Sequence, residues 1–106
     1  MFGDMGKMMK QAREMQAKMQ TIQDELARRE CVGTAGGGLV QVTLNGRHDL
    51  VRVHIDPQAA GDATVLEDLV TVAIRDAQRQ VHEITKQVAQ REMGALGGLL
   101  GGLPGL

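Results

Sequence analysis

The chain has 106 residues, a formal net charge of −1, a single aromatic residue and a single cysteine. That length implies one domain whose core, built from aliphatics and seven methionines, is thin for a monomer and calls for a partner chain. Near-neutral charge excludes a uniformly basic nucleic-acid binder, and one cysteine excludes an internal disulfide and fits a reducing, cytoplasmic setting. No apolar h-region opens the chain and no run reaches the roughly 18 apolar residues of a membrane span, so a protein without a leader or membrane anchor is expected.

The even balance hides a segregation. Residues 1–20 carry Lys7, Lys10, Arg13 and Lys18 against Asp4 and Glu14, and residues 75–91 carry Arg75, Arg79, Lys86 and Arg91 against Asp76 and Glu83, a net of +2 in each. The segment between them is acidic.

In chain order, Met5, Met8, Ala12, Met15, Met19, Ile22 and Leu26 recur at alternating steps of three and four, the heptad spacing of a helix with one narrow apolar seam. This seam is expected to pack against the second helix of the chain. Arg28 and Arg29 at its C-terminal end favourably oppose the helix dipole. Glu30 to Ala35, with β-branched Val32 and Thr34, reads as a strand running into Gly36-Gly37-Gly38. The glycine triplet lacks a Walker lysine or the G-x-G-x-x-G spacing, so no nucleotide site is read from it.

Leu39 to Asp56 contains two alternating apolar runs joined by Asn45-Gly46, a strong hairpin signal. A two-residue loop sets Leu44 opposite Arg47, Val42 opposite Asp49 and Val40 opposite Val51. Val40, Val42, Leu44, Val51, Val53 and Ile55 then share an oily face, and Leu39, Gln41, Thr43, His48, Leu50, Arg52 and His54 a mixed one. The mixed face is large enough for a dimer contact, placing Leu39, Gln41, Thr43, Leu50, Arg52 and His54 at the interface. His48 and His54 lack structural-zinc spacing, and no metal, cofactor or small-molecule substrate is expected.

Asp56-Pro57 ends the last strand. Thr64 to Glu67 reads as a capping box opening a second helix to about Met93, with the stripe Leu66, Leu69, Val70, Ala73, Ala77, Val81, Ile84 and Val88. On this helix Arg75, Arg79, His82 and Lys86, spaced by four, three and four, form one ridge. Residues 1–93 are the expected domain, and residues 94–106, rich in glycine and leucine, an expected mobile tail. Helices longer than the strands can cover must project or meet another chain.

The order helix, three strands, helix, together with the Met-Phe-Gly opening before MMKQAREMQAKMQ, then GLVQVTLNG, VHIDP and LEDLVTVAIRDA, resembles the YbaB/EbfC family of nucleoid-associated DNA-binding proteins. The resemblance implies an α+β fold of order α-β-β-β-α and a tweezer-like homodimer. It further implies a small bacterial protein, non-enzymatic and nucleoid-associated, that binds double-stranded DNA and influences nucleoid organisation and gene expression. The residues that would meet phosphates are Lys7, Lys10, Arg13 and Lys18 on the first helix and Arg75, Arg79, His82 and Lys86 on the second. The alternative is a protein–protein adaptor working through the methionine seam and the Gly/Leu tail, for instance in replication or recombination.

Overall fold

The computed structural model describes residues 2–99, which form two long helices and a three-stranded antiparallel sheet in an elongated body of 71 × 25 × 16 Å. Helix α1 spans Phe2–Arg28, strands β1, β2 and β3 span Glu30–Ala35, Val40–Asn45 and Leu50–Ile55, a 3-10 turn covers Pro57–Ala59, and helix α2 spans Ala63–Leu99. The expected α-β-β-β-α order is therefore the observed one. The sheet order is β1-β2-β3.

One face of the sheet carries the core. Cys31 and Ala35 of β1 and Val40, Val42 and Leu44 of β2 are buried against Ala73, Ala77 and Val81 of α2. The stripe expected on α2 is the one it buries, with Leu66, Leu69, Val70 and Ile84 closing the edges. Small residues bring the layers close: a Cβ at Gly33 would lie inside contact distance of the Ala73 carbonyl and the Ala77 amide. The β1–β2 turn needs its glycines, because Gly36, Gly37 and Gly38 all have φ between 63° and 98°, a run that L side chains resist.

Helix α2 also closes the outer edge of β1. Asp76 accepts from the Thr34 amide at 3.0 Å, and Gln80 Nε2 donates to the Val32 carbonyl at 2.8 Å. Among the described residues no such cover reaches β3, all six residues of which are exposed. Val53 is 44% exposed although it pairs with fully buried Val42, and Ile55 is 37% exposed beside buried Val40. Half of the oily face thus lies beyond the reach of the helix.

The hairpin corrects the two-residue loop. Asn45 pairs with Asp49 around a three-residue loop, Gly46 to His48, and a bulge follows at the level of Thr43 and Leu44. Leu44 therefore faces Leu50, not Arg47, while Val42 faces Val53 and Val40 faces Ile55. Loop and bulge together shift the register by an even number of residues, so Val53 and Ile55 keep the face assigned to them. His48 leaves the sheet for the loop, and Leu50 becomes the partner of an oily-face residue.

The start of α2 differs as well. Its N-cap is Asp62, whose Oδ1 accepts from the Thr64 and Val65 amides at 3.0 and 3.3 Å, so Thr64 lies inside the helix. At the other end the helix passes Met93 and continues through Gly94 to Leu99, so the expected tail is helical over its first six residues, and residues 100–106 lie outside those described.

The largest departure concerns α1. The methionine part of its seam is bare: Met5, Met8, Met15 and Met19 are 56–69% exposed, and Met15 and Met19 line a shallow groove with Gln16, Gln20 and Gln23, whereas Ile22 is half-buried and Leu26 buried. The C-terminal end is fixed to the hairpin, where Leu26 is buried and the Gly46 amide donates to the Leu26 and Arg29 carbonyls.

Charged side chains brace α1 against α2. Arg91 meets Glu25 through two bonds of 3.0 and 2.6 Å, and Lys18 pairs with Glu92 at 2.9 Å. The Arg91 guanidinium holds the Glu25 carboxyl below its ordinary 4.5, and the Lys18 ammonium does the same for Glu92. Such lowered carboxylates stabilise the folded form above their ordinary value and lose that contribution as pH falls through the lowered values. Labels at Gln11→Cys and Gln90→Cys, attached while the thiol of buried Cys31 is held high by burial, are therefore expected to separate or broaden in distance below about pH 4. A distance distribution unchanged to pH 3 would show that the ion pairs do not set the helix angle.

Candidate nucleic-acid interface

Arg75, Arg79, His82 and Lys86 are all exposed, on the side of α2 turned away from buried Ala73, Ala77 and Val81. The ridge is about 16 Å long at 1.5 Å per residue. It lies over the sheet, in the stretch of α2 that packs on β1 and β2, and not on a projecting arm. Arg75 and Lys86 make no ion pair among the described residues, whereas Arg79 pairs with Asp76. Asp76 is lowered first by the Thr34 amide and then by Arg79, and its second oxygen is held at the strand edge. Arg79 itself keeps 78% of its side-chain surface in solvent, so its guanidinium can meet a further anion without leaving Asp76.

The α1 cluster is divided. Lys7, Lys10 and Arg13 are exposed and without ion pairs among the described residues, but Lys18 is spent on Glu92. Lys7 to Arg13 lie roughly 20 to 29 Å along the helix from Leu26, where α1 joins the hairpin, so one chain presents two cationic surfaces and not one.

Of the residues expected at a dimer contact, Gln41, Leu50, Arg52 and His54 are exposed. Gln41 pairs with His54 and Thr43 with Arg52, which places these four on the face opposite the core. Thr43 is buried between its neighbours, and Arg52 reaches toward Glu30 at 3.8 Å across the sheet. Leu39 instead packs against the core cluster.

One neighbour of the ridge was not legible as such. The ring of His48, from the hairpin loop, stands 5.7 Å from that of His82 at an interplanar angle of 73°. Among the described residues no group of three or more His, Cys, Asp or Glu side chains is placed to hold a metal ion. No helix among them is long and apolar enough to cross a membrane.

The chain is thus an elongated α+β body with a row of solvated cations along the back of its covering helix. The chain matches the YbaB/EbfC DNA-binding family over residues 1–98 and belongs to that family, one of nucleoid-associated DNA-binding proteins and not a known enzyme family. Its fold is similar to that of the uncharacterized protein HP0035 from Helicobacter pylori, with a TM-score of 0.74 and 22% identity, covering 81% of this chain and 92% of that one.

Proposed function

We propose that the chain acts as a homodimer that binds duplex DNA mainly through phosphate contacts from Arg75, Arg79, His82 and Lys86, supplemented by Lys7, Lys10 and Arg13, and so influences nucleoid organisation and gene expression without catalysis. The observation that carries this reading is the exposed α2 ridge in a chain of a DNA-binding family. A duplex offers a charge about every 1.7 Å, so a row of cations finds partners in any sequence. The ridge holds no Asn or Gln to read adenine beside its cations, and modest sequence preference is expected.

The dimer is supported by apolar surface that the single chain leaves in water. Strand β3 exposes Leu50, Val51, Val53 and Ile55, and its edge, unlike that of β1, has no side-chain cover among the described residues. A second copy meeting β3 and the mixed face would bury it. Titration of an unrelated fluorescent duplex at about 0.05 and 0.2 M salt, with sedimentation alongside, tests both parts: a dimer whose affinity falls steeply with salt is expected. Salt-independent binding, or a stable monomer, would overturn the reading.

The bare methionine seam specifically favours a second reading, an adaptor for a partner helix. Partners that survive nuclease treatment in a pull-down, and are lost on Met15→Lys and Met19→Lys, would support it.

A further inference from the structure

Among the described residues His48 is the one residue other than glycine with positive φ, at 67°. It occupies the third position of a loop whose first turn closes from the His48 amide to the Asn45 carbonyl at 3.0 Å, a place that glycine normally takes. An L residue held there is strained, and such positions persist only where their surroundings fix them. Here buried Asn45 does so. Its Oδ1 accepts from the Arg47 and Asp49 amides at 2.9 and 3.1 Å, its Nδ2 donates to Asp49 Oδ2 at 3.2 Å, and its own amide reaches the Asp49 carbonyl at 3.0 Å. The Gly46 amide ties the other side of the loop to the end of α1.

The result of this construction is to set the His48 ring against His82, the third member of the α2 ridge. Beside it Arg47 is exposed and makes no ion pair among the described residues, and Asp49, the acid that follows the loop, has a carboxylate oxygen drawn back to Asn45. We infer that the Arg47–His48 turn is a second phosphate-binding element of the same surface, carrying the row of donors from α2 across to the hairpin. The inference rests on the reading of the ridge as a DNA contact. With its backbone fixed by five hydrogen bonds around Asn45 and its ring against His82, His48 gives up less freedom on meeting a phosphate than the long side chains on α2 do.

Three variants test it: Arg47→Ala, His48→Gly, and Arg75→Ala/Arg79→Ala/Lys86→Ala as reference, each titrated with duplex over a range of salt. Glycine suits the backbone of residue 48 better than histidine, so His48→Gly is expected to hold or raise the unfolding midpoint while weakening DNA binding about tenfold. Arg47→Ala is expected to reduce the salt slope by about one per chain. If both bind as the parent does while the helix variant is weakened, the turn lies outside the site and this inference falls alone. If the helix variant too binds as the parent, the ridge reading fails and takes the turn with it.

Discussion

Gly33→Ala is expected to lower stability by about 3 kcal/mol, which for a chain of this size moves the urea midpoint by about 2 M. The cause is the spacing between α2 and β1. A methyl group at residue 33 would press on the Ala73 carbonyl and the Ala77 amide and stand 2.8 Å from the Ala77 Cβ, and all three belong to the buried centre of the helix. Backbone cannot rotate aside as a side chain can, so α2 must lift from the sheet. Lifting would also lengthen the bonds from Asp76 and Gln80 that cap the edge of β1. Gly94→Ala, where nothing lies within 4 Å, is the control, and it should leave the midpoint unmoved or raise it. Equal effects from the two substitutions would mean that the layers are looser than this packing implies.

Where sequence reasoning succeeded and failed follows from the range of the forces involved. Both helices, the strand Glu30–Ala35 and the stripe of α2 were legible because periodicity reports which face a segment buries, whatever covers it. The same periodicity marked Met5 to Leu26 as a seam and could not name its partner, and the methionines prove to be bare. Asn45-Gly46 marked the turn correctly but not its length, because that depends on which residue accepts the left-handed conformation, and His48 does so only with Asn45 wrapped around the loop. Asp62 and Thr64 are both good caps, and the chain uses the earlier one. The ridge, at steps of four, three and four, was legible as one exposed face of α2 because helical spacing is local, but the diversion of Lys18 to Glu92 depends on how two helices cross and has no sequence signature. The contact between His48 and His82 likewise joins residues 34 positions apart, and only the three-residue hairpin brings it about.

Replacing Arg75, Arg79 and Lys86 together by alanine should flatten the dependence of log affinity on log salt by about 2.7 per chain, since each phosphate contact releases about 0.9 of a counterion. Near 0.15 M salt that corresponds to a loss of roughly a hundredfold in affinity per chain. The fold should not follow. All three side chains are exposed, none belongs to the core, and the pair lost with Arg79 is a solvated one. Asp76 keeps its bond to the Thr34 amide when Arg79 is gone, so the edge of β1 stays closed. The variant therefore separates two roles that a row of charges on a helix can play. If the cations serve only to keep the helix solvated, the slope stays as it was and solubility falls. If they hold phosphates, affinity falls most at low salt, the parent and variant curves converge as salt rises, and circular dichroism of the two proteins is the same. Asp76→Asn makes the complementary case: it keeps a side chain that can accept from Thr34 while releasing Arg79 from its acid, and so should tighten DNA binding where the triple variant loosens it.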